Sequence, residues 1–189
     1  MSLQKLTKKA KEDHSKGIHV GVQETPARVR IRKDLEALTG VTSEVIHSRD
    51  EFYVVKVVVK PTKGVYSGGE FHFRIDLTEK YPDDGPKVRY TGPMRVYHPN
   101  IEGEELSELR LHGRPCTDWG VCVGVQREWK PNYTLCQLII SIEMLFEHPN
   151  YDDNLPGLAS TAAEVLKTDP AKFEAIAKEW MKGDTHRVK

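Results

Sequence analysis

Residues 51–77 read EFYVVKVVVKPTKGVYSGGEFHFRIDL, and the period of this stretch decides the fold. Phe71, Phe73, Ile75 and Leu77 alternate strictly with Glu70, His72, Arg74 and Asp76. Alternation by two sends successive side chains to opposite faces of a strand, so one face is apolar and the other wet. Tyr53, Val55, Val57 and Val59 repeat the pattern upstream, and Gly64, Gly68 and Gly69 supply turns between two antiparallel strands. TSEVIH (42–47) and KVRYT (87–91) extend the pair into a meander of four strands. A sheet with one apolar face needs a cover, and the flanking segments have the helical period to provide it.

Before the sheet, Thr25-Pro26 reads as an N-cap followed by proline at the first helical position. Ile31, Leu35 and Leu38 then recur on one face, Arg28, Arg32 and Lys33 make another face basic, and Gly40 stops the pattern. Past Pro131, the apolar positions Leu135, Leu138, Ile139, Ile142 and Phe146 mark a largely buried helix ended by Pro149, with Cys136 inside it as a small buried side chain. ASTAAEVLK (159–167) is a second helix, and Asp169-Pro170 opens a third through Phe173, Ile176, Ala177 and Trp180. The order of helix, four strands, long crossing and helices predicts an α+β domain with the helices on one sheet face. Residues 1–24 read as a flexible polar extension, 25–183 as the core and 184–189 as a tail. The crossing from 92 to 132 far exceeds an ordinary connection, which suggests function.

Lys plus Arg and Asp plus Glu both number 28, which argues against a dedicated nucleic-acid partner. No apolar run approaches the roughly 18 residues of a membrane span. Three cysteines in 189 residues make no disulfide framework, so a cytoplasmic or nuclear setting is expected. Within the crossing, residues 96–131 read VYHPNIEGEELSELRLHGRPCTDWGVCVGVQREWKP. Cys116 and Cys122 could serve as nucleophile, as metal ligands with His98 and His112, or as plain loop residues. Five residues separate the two cysteines, and without a closely spaced pair the zinc reading is poor. A Cys-His hydrolase has no nucleophile signature to support it.

The series RIRKDL, GVYSGGEFHFRIDL, YPDDGPKV, VYHPNI, GVC, REWKP and LFEHPNYDD resembles, in order and spacing, the ubiquitin-conjugating carrier enzymes over about residues 27 to 180. In that family a cysteine follows His-Pro-Asn by roughly eight residues. Here Cys122 stands 22 positions after Asn100, so the resemblance implies an insertion at about 102–118. Gly120-Val121-Cys122 matches the family's register and Cys116 does not, which selects Cys122 as the nucleophile. The resemblance further implies Asn100 as an oxyanion donor acting more in discharge than in loading, Asp153 as the acid that orients an incoming lysine, and His98 with Pro99 as structural residues. It gives partner-binding roles to Leu3, Leu6, Arg28, Arg32, Lys33, Asp83, Trp129 and Pro131, and implies no metal or other cofactor.

The expected partners are an activating enzyme, a ubiquitin-like modifier, and a RING-type ligase with a cullin-type target, met by a monomer. VYHPNI, REWKP, RIRKD and the Leu- and Lys-bearing extension look more like the neddylation branch than the ubiquitin branch. Three departures stand out. Val123-Gly124 replaces a larger and polar pair, Trp129 comes one residue early, and Gly85 stands where the family has proline. A silent relative that only binds a modifier is the competing reading, opposed by the presence of Cys122, Asn100 and Asp153 together.

Overall fold

The structure, a computed structural model, describes residues 24–92, 95–102 and 119–182. Helix α1 (Pro26–Glu36) starts where its cap predicts, with Thr25 Oγ1 accepting the N–H of Arg28 at 3.3 Å. It ends before the expected stop, and Gly40, at a φ of 75°, turns the chain toward the sheet.

Strands β1 (Glu44–His47), β2 (Val54–Val59), β3 (Phe71–Asp76) and β4 (Lys87–Tyr90) form the expected antiparallel meander. The β2–β3 register sets Val55 opposite Ile75, Val57 opposite Phe73 and Val59 opposite Phe71, and all six are buried. Cross-strand pairs of β-branched and aromatic residues are the units of sheet stability, and these six hold the apolar face. On the other face Arg74 lies opposite Arg89, a repulsion that Asp76 offsets by accepting from Arg74 Nε at 2.7 Å. A fifth strand, β5 (Trp119–Gly120), pairs antiparallel with β4. Two residues are too few to show a period, so the sequence reading missed it.

Beyond a single helical turn, α2 (Gly124–Arg127), the chain enters α3 (Leu135–Glu147) through a capping box made by Thr134 and Gln137. Leu135, Leu138, Ile139, Ile142 and Phe146 are buried as the 3.6-residue period predicts, and the Phe146 ring stacks on Phe71 at 4.3 Å between centroids. Cys136 corrects the expectation for it. It sits only half-buried on the side of α3 toward the end of α1, and its Sγ donates to Thr39 O at 3.2 Å. Its neighbours Leu135 and Leu138 take the core positions. Helices α4 (Leu158–Thr168) and α5 (Pro170–Met181) close the fold. Asp169 caps α5 through Lys172 N, and Phe173 and Trp180 pack on Tyr97 at 5.6 and 5.5 Å. That contact fixes the segment leading into His98-Pro99-Asn100. The 103–118 segment, with His112 and Cys116, lies outside the described residues, as do Leu3 and Leu6.

Candidate active site

Four pieces of chain meet around Cys122. Residues 100–102 and 120–122 run antiparallel: Ile101 bridges Val121, Glu102 N donates to Gly120 O at 2.9 Å, and Cys122 N donates to Asn100 O at 2.8 Å. The cysteine therefore ends a short ladder anchored through β5 on the sheet, and α2 begins two residues later.

Asn100 is 1% exposed and its amide is committed on both sides. Nδ2 donates to the carbonyls of Asn150 and Asp153, each at 2.9 Å, and Oδ1 accepts Asn150 N at 2.9 Å. A carboxamide offers two donors and one carbonyl acceptor, and here all are used on one loop. Asn100 builds the 150–153 segment against the ladder that carries Cys122. To reach an oxyanion, Nδ2 would have to release one of those carbonyls.

His98 extends the same frame. Nδ1 accepts the N–H of Asn100 at 2.9 Å, so Nε2 carries the proton and donates to Leu145 O at 2.9 Å. The ring is 1% exposed and stacks on Tyr66 at 5.1 Å. Burial pushes its pKa down to about 4, against which the Leu145 contact acts only in part. Such an imidazole is neutral near pH 7, with both nitrogens occupied, and is no general base. Pro99 O receives Leu155 N at 3.0 Å, a further tie between the two segments.

Asp153 is placed by these bonds with one oxygen toward the thiol. Cys122 Sγ donates to Asp153 Oδ2 at 3.7 Å, and Arg127 Nη1 pairs with Asp153 Oδ1. Cys122 is half-buried. Burial pushes its thiol pKa up, the Asp153 charge adds to the rise, and the Arg127 charge opposes it. The arrangement presents a protected thiol beside a carboxylate that can also face an incoming cation or amine.

Two of the expected site features sit elsewhere in the chain. Trp129 Nε1 donates to Pro82 O at 2.7 Å, which joins the turn carrying Asp83 to the segment carrying Pro131. On α1, Lys33 is exposed and Arg32 pairs with Glu24, whereas Arg28 lies over the Phe52 ring at 4.0 Å. A Cβ on Gly85 would come within 2.9 Å of Trp129 Cβ, so the glycine at 85 and the displaced tryptophan are one mutually adjusted contact. Gly124 differs, since a Cβ there meets nothing within 4 Å among the described residues.

Sequence reasoning missed Arg127 and Glu102 as site residues. Glu102 Oε1 accepts from Arg95 Nη2 at 2.8 Å, and Oε2 accepts Ala159 N at 2.8 Å, which caps α4 where Gly157 offers no side chain. Its only signal was an acid at the edge of the insertion.

The profile described as Ubiquitin-conjugating enzyme matches residues 30–181. A fission-yeast protein (Schizosaccharomyces pombe) named NEDD8-conjugating enzyme ubc12 is 31% identical over 176 residues, covering 92% of this chain and 85% of its own. The NEDD8-conjugating enzyme UBC12 of Yarrowia lipolytica is 32% identical over 162 residues, covering 84% and 80%. The solved structure titled S. cerevisiae Ubc12 superposes with a TM-score of 0.71 at 27% identity, covering 99% of this chain and 94% of that one.

Proposed function

Because the chain belongs to the ubiquitin-conjugating enzyme family, we propose that it accepts an activated modifier of the NEDD8 type as a thioester on Cys122 and passes it to a target lysine. The observation that carries this reading is the half-exposed Cys122 thiol 3.7 Å from Asp153 Oδ2, on a ladder and loop fastened together by Asn100. The names of the relatives support the NEDD8 type.

In loading, the Cys122 thiolate attacks the thioester carbonyl on the activating enzyme. A new C–S bond forms, the old one breaks, and the departing thiolate takes up a proton. Nothing is oxidised, and one thioester replaces another. In discharge, a neutral lysine amine attacks the same carbonyl, the C–N bond forms, and Cys122 leaves as thiolate. The amine must shed a proton, and the Asp153 carboxylate is set to orient it and draw that charge. Asn100 positions both the cysteine and the acid.

Arg32 and Lys33 on α1, together with Leu3 and Leu6 of the extension, receive the activating enzyme in this reading. The end of the molecule that holds Asp83, Trp129 and Pro131 faces a RING-type ligase, with a cullin-type protein as target.

Incubation with purified activating enzymes and their modifiers tests the proposal. A reducible adduct is expected with the NEDD8 pair, weakly or not at all with the ubiquitin pair, on wild type and on Cys116→Ala. Cys122→Ser forms at most a reducer-resistant ester. A reducible adduct that survives Cys122→Ala overturns the site, and a preference for ubiquitin overturns the modifier.

A further inference from the structure

Arg127 touches the acid that serves discharge and influences the thiol that serves loading. Its guanidinium holds Asp153 Oδ1 through Nη1 and reaches Glu128 Oε1 through Nη2 at 3.5 Å. The other oxygen of the same carboxylate, Oδ2, lies 3.7 Å from Cys122 Sγ. Guanidinium, carboxylate and sulfur form a row with Asp153 in the middle.

The two half-reactions make opposite demands on that carboxylate. During loading Cys122 must exist as thiolate, and an anion beside the sulfur opposes it by Coulomb repulsion. During discharge the sulfur is tied up in a neutral thioester, the repulsion is gone, and the same anion helps the amine. A site that keeps the acid needs something to blunt it while the thiolate forms.

We propose that Arg127 is a positioning residue for this reaction: it fixes Asp153 and screens its charge from Cys122, so that one carboxylate serves discharge without suppressing loading. Among the described residues, three elements face the thiol. The loop before α4 brings Asp153, which raises the thiol pKa together with burial, and α2 brings Arg127, which lowers it. Glu128 engages the far side of the guanidinium. The ladder of 100–102 faces Cys122 through its backbone. Arg127 is 53% exposed, so its charge is partly given up to solvent and the effect is one of tuning. The inference rests on Cys122 being the carrier thiol.

The test is alkylation of Cys122 by iodoacetamide in the full chain without any modifier, followed by mass spectrometry of the Cys122 peptide from roughly pH 6 to 11.5, a range carried above the thiol's ordinary titration because burial and Asp153 raise it. Arg127→Ala is expected to slow alkylation roughly three- to tenfold at neutral pH, with the two curves converging where the thiol is fully ionised. Arg127→Lys, which keeps the charge, stays near wild type. Asp153→Asn alkylates faster than wild type, and in that background Arg127→Ala loses most of its effect. In single-turnover assays Arg127→Ala slows loading more than discharge. Coincident alkylation profiles for wild type and Arg127→Ala overturn the inference. So does slowing by one factor at every pH, or slowing that persists undiminished in Asp153→Asn. If no modifier loads on Cys122 the proposed function fails, while the alkylation profiles still decide the role of Arg127.

Discussion

Asp34, at the joint between α1 and α3, and Asp153, beside Cys122, are both carboxylates held by an arginine, Arg30 in one case and Arg127 in the other. Their surroundings differ in one respect that matters. The Asp34 side chain is 6% exposed and filled on every side: Arg30 Nε donates at 2.9 Å, Leu135 N at 3.3 Å, and the Tyr81 hydroxyl to the second oxygen. Arg30 is filled as well, giving Nη1 to Pro131 O at 3.0 Å and Nη2 to Tyr133 O at 2.6 Å. Asp153 is 32% exposed, with one oxygen on Arg127 and the other toward the thiol. A buried pair with all its acceptors occupied is a joint, because removing any member strands the others. The same pair with one oxygen turned to a thiol adds little to the fold, and in the proposed reaction it serves the chemistry.

The strongest way to break this contrast is to remove the buried acid. Asp34→Ala would leave the Tyr81 hydroxyl and the Leu135 N–H without their acceptor, and would cut the link from α1 to the start of α3. Burial and the bond to Asp34 hold the Tyr81 phenol well above its usual range, so at neutral pH it is a donor that needs this partner. The expected loss is about 2–4 kcal/mol of unfolding free energy in urea titrations. A loss no larger than that of the matching substitution at Asp153 would remove the distinction.

His98 sharpens the boundary between frame and chemistry through pH. Its folded pKa lies at about 4, below its ordinary value of 6.5, so the unfolded chain binds the extra proton first. Stability is fully present above pH 6.5 and is lost as pH falls toward about 4, where the loss levels off. The depression corresponds to at most roughly 3 kcal/mol. Urea midpoints at neutral and acidic pH should fall more steeply for wild type than for His98→Gln, and equal slopes would mean that the buried imidazole is not what titrates.

Asn100 tests which side of the contrast the site's frame belongs to. The family resemblance favoured an oxyanion donor that matters chiefly in discharge. Its whole amide is committed to the 150–153 loop, which favours a joint of the Asp34 kind. Asn100→Ala is therefore expected to lower stability by about 1–3 kcal/mol and to slow loading and discharge by similar factors. Slowing confined to lysine discharge, with stability intact, would favour the oxyanion role.

What was legible in the sequence divides along the same line. The sheet could be read because Phe71, Phe73 and Ile75 alternate under a burial constraint that acts at every second residue. The helices could be read because Thr25 and Asp169 cap them locally and the apolar residues of α3 recur at helical spacing. Gly120 and Val121 set Cys122 in the family's register, and the structure puts its thiol beside Asp153. Arg127 and Glu102 were not legible as site residues, since each acts on a partner more than twenty residues away and nothing periodic announces such a contact. Cys136 was misplaced because an apolar helix has a flank as well as a core face. Gly85 and Trp129 read as separate departures, and only their packing shows them as one.

The smallest effect on the fold is expected where the effect on the reaction is specific. Asp153→Asn keeps the size of the side chain and the backbone carbonyl that Asn100 grips, so the loop stays built. It removes the carboxylate charge shared by Arg127 and the thiol. An exposed ion pair contributes little to stability, and the melting temperature should stay within roughly 3 °C of wild type. Loading should hold or improve, because the anion that opposes the Cys122 thiolate is gone. Discharge from preloaded carrier to free lysine should fall roughly a hundredfold, the low end for a group that orients or deprotonates a reacting amine. Because a neutral amine no longer needs that help, the deficit should shrink as pH rises toward the ordinary lysine pKa. The measurement is single-turnover discharge across pH, paired with thermal melts of the same preparations. A melting temperature that drops as far as for Asp34→Ala would make Asp153 a structural acid, and unchanged discharge at neutral pH would take it out of the reaction.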